Sequence, residues 1–368
     1  CWVMRIKEEG EAAEAEPDSL DEEGDAREKV IVRSDGTVTY VGKDIAYQYW
    51  KFGLLDRDFH YRVYDRLSDS HTLWATTSVP AHNREAPVFG RAETTYNVID
   101  VRQSYLQKLL KQALTTLGHF KEAEHSVHFS YEMVALSPET ARTLGYVATE
   151  LESGRPFVEV SGRKGQGVKA DDLLDALFEK ARREVIVRNP ALASDEQRLV
   201  AQQIACAAVR YFMLKYSRSR VIAFDLDEAL NFEGESGPYL QYAVVRATNI
   251  FGKLREREGI GEQEILAALE TSTETTLEAE GDEIWALVLE SARLDEMVAQ
   301  VVRSLEFSVL AKYALSLAQM FNAFYHKYQI LREERPDVRM WRAAAVMYFQ
   351  RQLTRTLALM GLSVPGRM

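Results

Sequence analysis

From Asp195 to residue 361, apolar side chains return every three or four positions with little interruption. The periodicity covers 196–216, 238–257, 262–271, 282–292, 295–331 and 337–361. Residues spaced this way share one side of a helix, so this part of the chain must bury helix against helix. The earlier part reads differently. Lys29-Val-Ile-Val-Arg33 has the look of a strand running into an Asp35-Gly36 turn. Asp44 to Leu55 is expected to be helical, with Ile45, Tyr49 and Phe52 on one face. Residues 56–95 are polar and aromatic with scattered turn residues, which suggests an extra hairpin or subdomain. Tyr96 to Val101 reads as a buried strand, and Ser104 to Leu117 as a helix ended by Gly118. A strand pair is expected over 127–136 and 156–160, flanking a loop with a short helical turn after Pro138. The expected architecture is therefore α/β followed by all-α, changing over near 220–237, without an internal repeat.

A chain of 368 residues, 46% hydrophobic, can hold two or three domains, each with its own core. Nothing approaches the roughly 18 consecutive apolar residues that a membrane helix needs, and no signal segment opens the chain. Cys1 and Cys206 are the only cysteines, too few for a disulfide framework or a cysteine zinc site, which fits a reducing cytoplasm. The seven histidines show no metal-ligand spacing, so no metal site is expected. The net charge of -11 by itself argues against a polyanionic partner, but its distribution does not. Residues 8–29 hold eleven acidic and two basic side chains, and residues 327–368 hold eight Lys or Arg against three acids. The first segment is expected to be solvated and partly disordered. The second is compatible with phosphate-backbone contacts.

One loop carries most of the chemical signal. Val160-Ser-Gly-Arg-Lys-Gly-Gln-Gly-Val-Lys-Ala-Asp-Asp-Leu-Leu-Asp175 brings Gly162, Gly165 and Gly167 together with Arg163, Lys164 and Lys169. Glycines let backbone N–H groups approach a ligand closely, and the cations suit a polyphosphate. Neither G-x-x-x-x-G-K-[ST] nor G-x-G-x-x-G is present. Taken alone, the loop reads equally well as a basic turn before an amphipathic helix that starts near Asp171 and carries Leu173, Leu174, Leu177, Phe178 and Ala181. Asp171 and Asp172 then read as helix-capping residues, not catalytic ones.

With its neighbours, the loop resembles the lysine-serine signature loop of class I aminoacyl-tRNA synthetases, in the form used by the arginyl-tRNA synthetase family. The same resemblance extends through Ser34-Asp-Gly-Thr-Val-Thr-Tyr-Val-Gly-Lys-Asp-Ile-Ala-Tyr47, Tyr96-Asn-Val-Ile-Asp-Val-Arg-Gln-Ser104 and His128-Phe-Ser-Tyr-Glu-Met-Val-Ala-Leu136. It continues in Gly237-Pro-Tyr-Leu-Gln-Tyr242 and Val364-Pro-Gly-Arg-Met368. The motifs stand in family order from about residue 30 to the end. The resemblance implies the C-terminal part of a Rossmann-like nucleotide-binding catalytic domain over 30–225, with an insertion at about 56–95. A helical anticodon-binding bundle would follow over 226–368, and an acidic segment over 1–29 would precede both. It further implies arginine, ATP accompanied by Mg2+, and the tRNA for arginine as partners of a cytoplasmic protein that is monomeric when complete and has no membrane association.

The resemblance also assigns roles. Tyr40, Asp44 and Gln103 match residues that hold the arginine side chain, and a carboxylate is what a guanidinium fork requires. Met133 and Val134 lie where adenine meets backbone groups, whereas His128 reads as a core or supporting residue. Ser161 matches the signature serine and joins Lys164 at the ATP phosphates, while Gly162 stands where the second signature lysine lies elsewhere in the family. Arg163, Lys164 and Lys169 are the candidates to supply the missing charge. Activation depends chiefly on positioning and charge neutralisation, not on a covalent nucleophile. In the helical part Tyr239, Tyr242 and Arg246 share a helical face, offering stacking surface and a cation. Tyr328, Arg367 and Met368 match regions used around the anticodon, with Phe324 and Tyr325 as core and Arg332 where relatives carry another aromatic.

The histidine signature of class I enzymes does not occur in these residues. The expectation is an incomplete catalytic domain, inactive in charging by itself. A non-catalytic RNA-binding descendant of a synthetase is the alternative, against which the retained Tyr40, Asp44 and Gln103 set argues. Another class I enzyme such as the cysteinyl one is weakened by the lack of zinc ligands.

Overall fold

The computed structural model describes residues 1–6, 28–80, 85–146, 157–158, 167–277 and 281–368. The expectation of disorder for the acidic segment, and most of the glycine-lysine loop, lie outside the described residues. The chain divides into two compact units, Cys1–Tyr131 and Glu132–Met368.

In the first unit, β1 (Trp2–Arg5) pairs antiparallel with β2 (Glu28–Val32). The strand expected from Lys29 thus begins one residue earlier. The helix expected from Asp44 begins four residues earlier: α1 spans Tyr40–Phe52. Thr39 caps it by accepting from the Gly42 N–H at 3.3 Å, and Gly53 ends it in the left-handed conformation at φ 71°. Gly42 has to be glycine for packing: a Cβ there would lie 2.7 Å from the Ile31 carbonyl oxygen of β2. Residues 56–95 contain the antiparallel hairpin β3 (His60–Arg66) and β4 (Thr72–Thr77), with a register shift between Val63 and Asp65. Next come β5 (Thr95–Asp100), α2 (Ser104–Thr116), α3 (Phe120–Glu124) and β6 (Ser126–Tyr131). β5 and β6 run parallel, and α1 packs against both β2 and α2. Parallel pairing with a helical crossover is the βαβ unit expected of a nucleotide-binding fold.

The second unit opens with β7 (Val134–Leu136), α4 (Pro138–Thr143), α5 (Ala170–Arg188), α6 (Ser194–Leu214), β8 (Ile222–Phe224) and α7 (Leu226–Ala229). β7 and β8 are parallel, and Leu136 bridges Val158. The strand expected unbroken over 127–136 is therefore two strands, interrupted at Glu132 and Met133. Helices follow: α8 (Gly237–Glu258), α9 (Glu262–Glu270), α10 (Glu274–Leu277), α11 (Gly281–Ala292), α12 (Leu294–Ser304), α13 (Ser308–Lys327) and α14 (Pro336–Leu359). The continuous periodicity of 295–331 hides a break. Leu305 adopts the left-handed conformation, φ 56°, and separates α12 from α13.

Two cores form in this unit. Leu177, Ala181, Val200, Ile204, Phe212 and Phe224 belong to the first, and Leu240, Leu287, Leu317, Phe321, Phe349 and Leu353 to the second. Helix α6 serves both, because Ala207 and Tyr211 face the second core while Ile204 and Phe212 face the first. A mixed α/β portion followed by an all-helical one is the expected architecture.

Candidate functional site

The cluster on α1 grows from one helical face. Tyr40 and Asp44 are i and i+4, so both project to the same side. At 83% exposure Tyr40 is presented to solvent, with the Lys43 ammonium 5.6 Å from its ring. Asp44 is half-buried, and burial raises its carboxyl above the ordinary carboxylate range while the charge of Lys51 opposes that rise. Gln48 continues the face and is buried; its Nε2 donates to Thr95 Oγ1 at 2.6 Å and to Ser126 Oγ at 2.9 Å. Lys51 donates to Asn97 Oδ1 at 2.8 Å and to Gln48 Oε1 at 3.4 Å. The other side of the Asn97 amide, Nδ2, is buried without a hydrogen-bond partner. Gln103 lies exposed in the 3-10 turn Val101–Gln103, immediately before α2. Asp100 stabilises that turn by accepting from the Arg102 N–H at 2.9 Å and from the Arg102 guanidinium. His128 Nε2 is 3.0 Å from the Ile99 carbonyl oxygen across the parallel pair, a supporting position.

The nucleotide candidates fall in the second unit. Met133 already gives its carbonyl oxygen to the Ile222 N–H at 3.1 Å, and Val134 is 47% exposed at the start of β7. Ser161, Arg163 and Lys164 lie outside the described residues. Lys169 is exposed and occupies the N-cap position of α5, which has no side-chain cap. Asp171 and Asp172 therefore do not cap; they sit in the first helical turn, where a negative charge favours the helix N-terminus. Tyr146 donates to the Gly167 carbonyl oxygen at 3.3 Å and pins the last glycine of the loop. The junction toward the helices is tied by Ser137, which donates to Asp225 Oδ2 at 2.6 Å, and by Thr140, which accepts from the Leu226 N–H at 3.0 Å.

In the helical part an unanticipated amide joins two of the candidates. Asn322 Nδ2 donates to the Tyr239 hydroxyl at 2.9 Å, and its Oδ1 accepts from Arg246 Nη1 at 3.0 Å. The Arg246 guanidinium also lies 4.9 Å from the Tyr325 ring. Tyr242, although nominally on the same face, lines a separate small hollow with Arg188, Asn189, Phe232 and Met368. Tyr328 terminates α13, between the Lys327 ammonium at 4.9 Å and the Arg342 guanidinium at 5.4 Å from its ring. Phe324 is fully packed and Tyr325 half-buried against the same core; Arg332 and Arg367 are exposed. Met368 packs against the first core instead of beside Tyr328.

Asn322, Gln48, Asn97 and Lys51 were not singled out from the sequence. Gln48 and Lys51 continue the helical spacing from Asp44, and Asn97 alternates with Thr95 along β5, but no local spacing points to Asn322.

Known proteins resemble this chain in sequence and fold. The family model described as "tRNA synthetases class I (R), catalytic domain" matches residues 66–226, and that of the "DALR anticodon binding domain" matches 240–368. An arginine–tRNA ligase of Thermococcus sibiricus is 36% identical over 338 residues, which is 91% of this chain and 48% of the relative. One of Deinococcus radiodurans is 33% identical over 349 residues, covering 92% and 52%. The solved arginyl-tRNA synthetase of Thermus thermophilus superposes with a TM-score of 0.71 at 31% identity, over 94% of this chain and 52% of that one. A class I synthetase catalytic segment joined to a DALR anticodon-binding domain defines the class. Within it, the chain belongs to the arginyl-tRNA synthetase family, and it spans about half the length of the curated relatives it matches.

Proposed function

We propose that this chain serves in an arginine–tRNA ligase, cytoplasmic and monomeric when complete. Its reaction begins when an arginine carboxylate oxygen attacks the α-phosphorus of ATP, forming arginyl-adenylate and releasing pyrophosphate. A ribose hydroxyl at the tRNA 3′ end then attacks the arginyl carbonyl carbon, and AMP leaves.

The observation that carries this reading is the α1 face, where an exposed Tyr40 stands one turn from a half-buried Asp44 carboxylate. Such a pair suits a planar cation with several donors. Gln103 completes the arginine set. Backbone groups at Met133 and Val134 hold adenine, and Ser161, Arg163, Lys164 and Lys169 neutralise the phosphates. Tyr239, Tyr242, Arg246, Tyr328, Arg367 and Met368 contact the tRNA, with Tyr239 and Arg246 aligned by Asn322. Mg2+ accompanies ATP and shares the charge of its phosphates. No described helix is long and apolar enough to cross a membrane.

The test is equilibrium binding of transcribed tRNA for arginine against a tRNA for another amino acid. The expected result is preferential binding of the former, weakened by substitution at Tyr328 or Arg246. Equal binding of both tRNAs by the wild-type chain would refute the anticodon assignment.

A further inference from the structure

The connection between α13 and α14 begins at Tyr328, and one buried guanidinium holds it in shape. Arg342 lies in the second turn of α14, and helical side chains lean toward the N-terminus, so it reaches back to that connection. Its Nη1 donates to the Gln329 carbonyl oxygen at 3.3 Å, and its Nη2 pairs with Glu333 Oε2 at 2.7 Å. Gln329 and Glu333 flank the 3-10 turn Ile330–Arg332, so the guanidinium fork closes that turn from both ends. The same group stands 5.4 Å from the centre of the Tyr328 ring, within range of a cation–π attraction.

This anchor is buried and stays ionised. Arg342 is only 6% exposed. Glu333 also accepts from Arg335 Nε at 2.9 Å and from the Arg335 N–H at 3.1 Å. Those hydrogen bonds, and then the charge of Arg342, hold the Glu333 carboxyl at about 2. The second cation at the ring is of another kind. Lys327, 4.9 Å from the ring centre, pairs with Glu283 of α11 at 2.7 Å, and both side chains are at least half exposed. An ion pair in water contributes little, so an incoming base can displace Lys327, whereas Arg342 remains.

We infer that Arg342 is a positioning residue for tRNA recognition: it fixes the Tyr328 ring as a platform for an unstacked base and does not itself touch RNA. This inference rests on the reading of Tyr328 as a tRNA contact. A ring already held in place loses little freedom when a base stacks on it, and that preorganisation appears as affinity. Burial keeps phosphates away from Arg342, so its removal should leave the release of counterions from the RNA unchanged.

The experiment is equilibrium binding of transcribed tRNA for arginine to the 368-residue chain, at salt concentrations between about 50 and 200 mM. The proteins are wild type, Arg342→Met, Arg342→Lys, Tyr328→Ala and each Arg342 variant combined with Tyr328→Ala. Tyr328→Ala should weaken binding roughly tenfold. Arg342→Met should weaken it roughly fivefold, with an unchanged slope of log K against log salt. Arg342→Lys keeps the charge but not the fork, and should fall between Arg342→Met and wild type. In the Tyr328→Ala background, either change at Arg342 should cost less than about twofold. An equal loss in both backgrounds would show that Arg342 acts through something other than Tyr328, and would overturn the inference. So would a salt slope shallower by about one, the mark of a lost phosphate contact. If circular dichroism shows Arg342→Met unfolded, Arg342→Lys carries the same comparison. Wild-type binding by Tyr328→Ala would sink the reading of Tyr328 itself. Weakened binding by Tyr328→Ala beside wild-type binding by both Arg342 variants would sink the role of Arg342 alone.

Discussion

Gly237 opens the motif Gly237-Pro-Tyr-Leu-Gln-Tyr242 and tests how α8 is seated. Its φ is not in the left-handed region, so the glycine answers a need for space and not for conformation. A Cβ there would lie 2.3 Å from the Ala207 carbonyl oxygen, 2.5 Å from the Ala207 carbonyl carbon and 3.0 Å from the Ala208 nitrogen. The first two distances fall about 1 Å short of van der Waals contact. All three atoms are backbone in the middle of α6, which cannot move without disturbing both cores. Overpacking of this kind costs about 1–3 kcal/mol, and two rigid helices put Gly237→Ala at the upper end, ~3 kcal/mol. Gly252 is the control within the same helix: it is exposed, and a Cβ would meet nothing within 4 Å. Gly252→Ala should stabilise by about 1 kcal/mol through helix propensity. The same chemical change twenty-odd ångströms along one helix should thus differ by ~4 kcal/mol, nearly three orders of magnitude in the unfolding equilibrium. Hydrogen exchange of α6 and α8 amides, read with guanidinium denaturation, measures both variants in this unit specifically. Equal stability of the two would refute the argument that α8 depends on backbone contact at its first residue.

Three further outcomes follow from the geometry. Asp44→Asn removes the charge that a guanidinium needs and should weaken L-arginine binding by about 1.5–3 kcal/mol with little change in tRNA affinity; calorimetry and filter binding separate the two. Tyr328→Ala should do the reverse, weakening binding of the tRNA for arginine by about 1–3 kcal/mol through lost stacking, and unchanged tRNA affinity would reassign Tyr328 to packing. Glu333 is held down at about 2 from an ordinary 4.5, first by hydrogen bonds from Arg335 and also by the charge of Arg342. A depressed acid lends stability that is complete above the unfolded value and lost as pH falls through the folded one. Glu333→Gln should therefore lower stability at neutral pH and flatten its decline between about pH 4.5 and pH 2, as followed by circular dichroism.

The long periodicities predicted most helices because a buried stripe is a repeated signal, tolerant of single exceptions. Ends and breaks rest on one residue each, and there the reading slipped. Thr39 and Asp44 are both good cap residues, and the weak helix formers Tyr40, Val41 and Gly42 favoured the later start. The structure chose Thr39 because Gly42 must sit against the Ile31 carbonyl of β2, a tertiary demand that local propensity cannot express. Leu305 is harder still. No glycine or proline marks the break, and a leucine in the left-handed region carries a local cost that only surrounding packing can offset. The site residues follow the same division. The candidates Tyr40, Asp44 and Gln103 stand in motifs, whereas Thr95, Asn97 and Ser126, which anchor Gln48 and Lys51 beside them on α1, come from strands distant in sequence.

Those neighbours share a chemical type. Asn97 and Gln48 receive Lys51 and, through Gln48, hold Thr95 and Ser126; Asn322 turns one end to Tyr239 and the other to Arg246. A side-chain amide has a donor end and an acceptor end and no charge. It can fix a cation without neutralising it, which a carboxylate cannot do. Lys51 and Arg246 are thereby ordered while their positive charge is left intact. Had Asn322 been aspartate, Arg246 would sit in an ion pair instead of a charge-preserving hydrogen bond. That reasoning also explains why net charge misleads for this chain. Eleven of its acids lie within residues 8–29, distant in sequence from the cations that neutral amides hold in place.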